Sequence, residues 1–211
     1  MAIEIARKQV ANAIGAEQKE IYFTGCGSES DNLAIKGIAY ANKDKGNHVI
    51  TSKIEHHAVL DTCRTLENEG FIVTYLNVDS FGKINLEELE NAINKNTILI
   101  TIMTANNEIG TIQPIKKIGE IAKRHNVYFH TDAVQAIGNM IIDVKKDNID
   151  SLSLSAHKFY GPKGVRSFIS KTSELNSKKC KMDGHQEKNK RAGTENVAGI
   201  VGLRICNRTC I

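Results

Sequence analysis

The sequence predicts an α/β protein built on a mostly parallel sheet with helices on both faces. Apolar runs of strand length alternate with segments of helical period along the 211 residues, and parallel strands need long crossovers that are usually helices. No repeat, low-complexity tract or linker interrupts the alternation, so one domain is expected. Residues able to do chemistry fall directly after the strand runs, where ligands gather in sheets of this kind.

The elements read in order as follows. Residues 1–14 place Ile3, Ala6, Val10, Ala13 and Ile14 at helical spacing with no capping residue ahead of them, so the chain is expected to begin inside a helix, with something missing upstream. Residues 20–24 form the first apolar run, and a helical stretch over 29–40 follows the loop Gly25-Cys26-Gly27. Strand runs at 48–52, 72–76 and 98–103 alternate with helical stretches at 58–68, 86–93 and 115–125. Two further strand runs, 127–131 and 151–155, complete the set, while residues 166–176 read as irregular. Past Gly202 the helical pattern dissolves with no second domain to follow, so a downstream part is expected to be missing as well.

Composition narrows the function classes. A 41% hydrophobic, 25% charged chain with a net charge of +4 is ordinary for a globular protein. Its lysines are scattered rather than gathered in a stripe, and no nucleic-acid module is present, so nucleic acid is not an expected partner. The apolar runs are too short to span a bilayer, and Glu4, Arg7 and Lys8 break any signal-peptide pattern, which makes a cytoplasmic location the default. Five cysteines, Cys26, Cys63, Cys180, Cys206 and Cys210, form no CxxC pair and leave an odd one over, indicating neither a metal site nor a disulfide framework. Lys178, Lys179 and Lys181 around Cys180 would lower its thiol pKa, although a passive surface thiol is the simpler reading.

The run Ser153-Leu154-Ser155-Ala156-His157-Lys158 stops at a lysine and is followed at once by Gly161-Pro162-Lys163-Gly164. An amine at a strand end, aimed by a Gly/Pro turn, suits a Schiff base with an aldehyde cofactor. Asp132, directly after another strand run, is placed to pair with a cofactor ring nitrogen and keep it protonated; a solvated strand-end carboxylate is the alternative. Gly27 and Ser28 open a helix, where backbone N–H groups and a hydroxyl suit a phosphate, though Ser28, Glu29, Ser30 and Asp31 also read as plain helix capping. His56 offers a flat imidazole for stacking and proton transfer, with His57 read as helix surface, and His157 beside the lysine reads as a second phosphate donor, or, taken alone, as a structural histidine. Gln135 and Asn107 are polar groups within reach of the same ring, or simply turn residues. Together these residues point to pyridoxal phosphate.

The same residues fall in an ordered series of blocks: Ile21-Tyr22-Phe23-Thr24, the stretch from Glu29-Ser30-Asp31-Asn32 to Gly37, Glu55-His56, Asn106-Asn107-Glu108-Ile109-Gly110, Asp132-Ala133-Val134-Gln135, Ser155-Ala156-His157-Lys158 and Arg191-Ala192-Gly193-Thr194-Glu195-Asn196. In these blocks the chain resembles the cysteine desulfurases of the iron-sulfur-cluster and nitrogen-fixation type, within the class V aminotransferase superfamily, from its first residues to about Gly202. The resemblance implies the large domain of a fold-type I pyridoxal-phosphate transferase over residues 1–211, incomplete, with the C-terminal small domain absent. It implies Lys158 as the Schiff-base lysine, Asp132 on the pyridine nitrogen and His56 stacked on the ring as an acid-base group. Gln135 and Asn107 would contact the phenolic oxygen; Gly27, Ser28, Ser155 and His157 would hold the phosphate; Thr194 would reach the phosphate in a partner subunit, which implies a homodimer.

The implied reaction takes sulfur from L-cysteine, leaving L-alanine and a persulfide on a separate cysteine for an iron-sulfur scaffold or other acceptor. That cysteine, and the arginine for the substrate carboxylate, are expected beyond residue 211. Gly25-Cys26-Gly27-Ser28 stands where Ser-Gly-Ala-Thr is commoner, and Met182 and Asp183 break a glycine-rich stretch ending in Gln-Glu. Alternatives are a selenocysteine lyase, another class V aminotransferase, or a non-catalytic cofactor-binding remnant; the Asn106 to Gly110 and Arg191 to Asn196 blocks favour the desulfurase branch.

Overall fold

A computed structural model describes residues 1–170 and 185–209. Its centre is a seven-stranded sheet in the order β3 (Ile72–Leu76), β2 (His48–Ser52), β4 (Thr97–Thr101), β5 (Tyr128–Asp132), β6 (Ser151–Ser155), β7 (Arg166–Ser170), β1 (Ile21–Thr24). Neighbours from β3 through β6 are parallel, and β7 runs antiparallel to both β6 and β1. The helices are α1 (Ala2–Ala13), α2 (Gly27–Ala41), α3 (His57–Asn68), α4 (Leu86–Ala92), α5 (Ile115–Arg124), the single turn α6 (Gln186–Asn189) and α7 (Val197–Thr209).

Alternation along the strands sorts the core onto two faces. Ile50, Ile100, Phe129, Leu152 and Leu154 pack into one cluster with Ala6 and Val10 of α1, Ile118 and Ile121 of α5, and Ile200 and Leu203 of α7. Their strand neighbours Val49 and Leu99 pack on the other side with Ile35 and Ile38 of α2 and Val59 and Leu66 of α3. Helices therefore cover both faces, as the sequence predicts. Among the described residues no helix is long and apolar enough to cross a membrane.

Two sequence expectations are corrected. Residues 166–170, read as irregular, form β7; this strand returns antiparallel to β6 after a short loop rather than a helix, so it lacks the helix-before-strand signature that marks the others. α7 also continues past Gly202, where the helical pattern was expected to end. A side chain at Gly202 would lie 2.8 Å from the Pro162 ring, so the glycine marks close contact with the loop before β7 rather than a helix stop. Cys180, its flanking lysines, Met182 and Asp183 lie outside the described residues.

Candidate active site

The carboxyl ends of β2, β4, β5 and β6 and the first turn of α2 enclose a cavity of about 270 Å³. It is lined by Gly27, Ser28, Asp31, His56, Met103, Ala105, Asn107, Asp132, Val134, Gln135, His157, Lys158 and Arg166. Eight of the residues singled out in the sequence thus meet in one place: Gly27, Ser28, His56, Asn107, Asp132, Gln135, His157 and Lys158. Ser155 does not line the cavity; it is fully buried, with its hydroxyl engaged by His157 Nδ1 at 2.8 Å and by Arg166 Nε. Thr194 is exposed and borders a separate small cleft with Gly25, Arg191 and Asn196.

Local structure explains each placement. Cys26 caps α2, its sulfur accepting from Glu29 N at 3.3 Å, while Glu29 Oε2 accepts from Gly25 N at 2.7 Å. The opening turn of a fifteen-residue helix therefore faces the cavity at Gly27 and Ser28 with its positive end. His56 caps α3: its Nδ1 accepts from Ala58 N at 3.1 Å, which leaves the ring proton on Nε2 in the neutral imidazole. Asn106 donates to Ile54 O at 2.8 Å and accepts from Glu108 N and Ile109 N, tying the Asn107 loop to the segment carrying His56. Lys158 ends a 3₁₀ turn, Ala156–Lys158, that continues β6, and its side chain is exposed.

Beneath the cavity the sheet face toward α2 is polar and buried. The alternation Ser-Leu-Ser-Leu-Ser in β6 sends Leu152 and Leu154 into the apolar core and Ser153 toward His130 and Asp31. His130 is fully buried, its Nδ1 2.8 Å from Thr101 Oγ1 and its Nε2 3.2 Å from Ser153 Oγ. Burial pulls its imidazole down to about 3, so it is neutral, and the 3.7 Å approach of Nε2 to Asp31 Oδ1 is not an ion pair. Asp31 Oδ1 has no hydrogen-bond partner. Burial first, and then the neighbouring Asp132 charge, hold the Asp31 carboxyl well above the ordinary range. Asp132 is itself raised by burial, with Oδ1 accepting from Val134 N at 2.9 Å. Glu55, also buried, accepts from Ser52 Oγ at 2.6 Å and from Met103 N, and burial pushes it up to about 8.

Sequence reasoning missed Asp31, Glu55, His130 and Arg166 as parts of the site. Asp31 and Glu55 stand inside the quoted blocks, and Asp31 lies one helical turn beyond Gly27, on the face that meets the sheet. Arg166 had no signal of its own. The arrangement offers an amine, an imidazole, a helix N-terminus with a guanidinium beside it, and a buried carboxyl, all facing one small cavity.

Comparisons with known proteins agree with this geometry. The Aminotransferase class-V family matches residues 1–208. The chain is 63% identical over 207 residues to the cysteine desulfurase IscS of Methanosarcina thermophila, covering 96% of this chain and 50% of that protein. It is 61% identical over 202 residues to the cysteine desulfurase IscS of Clostridium botulinum, covering 96% of this chain and 51% of that protein. Among solved structures, SspA in complex with cysteine superposes with a TM-score of 0.93 at 47% identity, covering 98% of this chain and 60% of that one. A NifS-like protein superposes with a TM-score of 0.92 at 41% identity, covering 99% and 57%. The chain spans about half the length of the curated relatives it matches.

Proposed function

The chain belongs to the aminotransferase class-V family, and from that premise we propose that it is the cofactor-binding domain of a pyridoxal-phosphate-dependent cysteine desulfurase. The reaction of the whole protein would convert L-cysteine to L-alanine and pass the sulfur to a cysteine and then to an iron-sulfur scaffold or other acceptor. The observation that carries the reading is that Lys158, Asp132 and His56, brought by three different strands, line one cavity. The donor set fits the cofactor: an exposed amine, a helix N-terminus for an anion, and a buried carboxyl on the cavity wall. When bound, pyridoxal phosphate supplies an electron sink for a carbanion at the substrate Cα.

The residues of this chain supply the rest. Burial alone raises the Asp132 carboxyl, and a basic ring nitrogen set against it would supply the opposite charge that favours its ionised form, so the pair would keep that nitrogen protonated. His56, held as the Nε2–H tautomer by the cap of α3, presents a flat imidazole able to stack and to move a proton. Lys158 would hold the cofactor through its amine, and the exposed amine is also able to carry a proton within the cavity. Asn107 and Gln135 donate to a phenolic oxygen, and Gly27, Ser28 and His157 belong to the phosphate end. Of the cysteines with described side chains, Cys63 is buried with its thiol pushed up to about 12 by that burial, and Cys26 spends its sulfur on the α2 cap, so neither suits the role of sulfur acceptor.

A cytoplasmic homodimer belongs to the same proposal. The exposed Thr194, outside the cavity of its own chain, is free to contribute to a second copy's site, which supports that reading. The test is to mix the purified chain with pyridoxal phosphate, reduce with borohydride and map the modified lysine by mass spectrometry. Modification at Lys158, absent in Lys158→Ala, is the expected result. A folded chain that carries no adduct at Lys158 would overturn the proposal.

A further inference from the structure

Arg166 is the one cation on the cavity wall that the sequence blocks do not account for. It opens β7, pairs in register with Thr24 on one side and Ser155 on the other, and extends a half-buried side chain toward the start of α2. Its Nε donates to Ser155 Oγ, and its Nη2 donates to His157 Nδ1 at 2.7 Å. Nη1 stands 3.2 Å from the point where a side chain on Gly27 would begin. The carboxyls that feel this guanidinium, Asp31 and Asp132, are both pushed toward their neutral forms by burial, so they offset its charge at the positive end of α2 only weakly.

The arrangement changes which group an anion meets. The resemblance assigns Ser155 to a phosphate, yet Ser155 is fully buried and capped by the guanidinium, so an anion entering between Gly27, Ser28 and His157 reaches Arg166 first. A planar guanidinium with one nitrogen still facing the cavity offers charge-assisted donors of a geometry suited to phosphate oxygens. His157 is the weaker partner, because burial and then the neighbouring Arg166 charge lower its pKa and keep it neutral. We propose that Arg166 is a phosphate-binding residue of this site, taking the contact that Ser155 is expected to make. The proposal rests on the cofactor reading above, and it concerns the phosphate alone.

The experiment measures dissociation constants by absorbance titration for pyridoxal phosphate and for pyridoxal, which lacks the phosphate, with the unsubstituted chain, Arg166→Gln and Arg166→Lys. Arg166→Gln is expected to weaken pyridoxal phosphate by roughly 10- to 100-fold, the size of a lost charge-assisted hydrogen bond, while leaving pyridoxal unchanged. Arg166→Lys should fall between the two, having the charge without the fork. Equal or tighter binding of pyridoxal phosphate by Arg166→Gln, with Lys158 still modified, would overturn the assignment and leave the cofactor reading standing. A parallel loss of both ligands would show that Arg166 only holds the fold together, which also overturns it. No adduct at Lys158 in any of the three chains would remove the cofactor reading and this assignment with it.

Discussion

Asp31, Asp132 and Glu55 bring three buried carboxyl groups close to one cavity, and each is held above its ordinary pKa with burial as the leading cause. For Glu55 the folded value is about 8 against 4.5 in an unfolded chain, so the folded state keeps a proton that the unfolded state releases. Stability from this group is fully present below about 4.5 and is lost as the pH rises through about 8. Urea midpoints of the unsubstituted chain should therefore fall across that window. Glu55→Gln keeps an acceptor for Met103 N and removes the titration, so its midpoint should change much less, with a difference on the order of 2 to 4 kcal/mol at the alkaline end. An equal slope in both proteins would contradict the assignment. At this scale Lys158, Asp132 and His56 were legible as candidates because each lies within four residues of the end of a strand run. Asp31 stayed hidden because an acidic residue near a helix start reads as a cap, and only the packing of α2 on the sheet turns it inward.

The elements place the site through close backbone contacts. Lys158 is aimed by the 3₁₀ turn after β6, and Gly161 closes that turn by donating its N–H to Ala156 O at 2.9 Å. A Cβ on Gly161 would lie 2.8 Å from both Ala156 Cβ and Ala156 O, too close without a shift of backbone. Gly161→Ala is expected to lower stability by roughly 1–3 kcal/mol, as overpacking does, and to slow borohydride-trapped labelling of Lys158 by pyridoxal phosphate under conditions where proteolysis shows the variant still folded. Unchanged labelling kinetics would mean that the turn is not what aims the amine. The same region shows why β7 was not legible. Its sequence, Arg-Ser-Phe-Ile-Ser, has a strand pattern only two apolar residues long, and it joins the sheet by an antiparallel return that no crossover helix announces. Where helix and strand alternate, as in residues 48–132, period and length sufficed to place every element within a few positions.

Across the whole molecule, a buried ion pair joins the first helix to a segment 180 residues later. Arg7 donates through Nη1 and Nη2 to Glu187 at 2.7 and 3.0 Å and through Nη1 to Ile21 O at 2.7 Å, with its guanidinium carbon 4.8 Å above the Phe23 ring. Glu187 Oε2 also accepts from Phe23 N at 2.9 Å, so α1, β1 and α6 share one carboxylate. Both side chains are almost wholly buried, at 5% and 2% exposure, and water cannot replace either partner. Sequence reading registered Arg7 only as a charge against a signal peptide and Glu187 only as the end of a departed motif, because nothing local connects positions so far apart. Glu187→Ala strands a buried guanidinium and a backbone N–H and should cost about 3–5 kcal/mol in urea denaturation. Arg7→Met with Glu187→Leu removes both charges together and should recover a large part of that loss, since the cost lies in the uncompensated charge rather than in the missing pair. A double variant as unstable as Glu187→Ala would mean instead that the hydrogen bonds to Ile21 O and Phe23 N, not the charge, hold the two ends of the fold to β1.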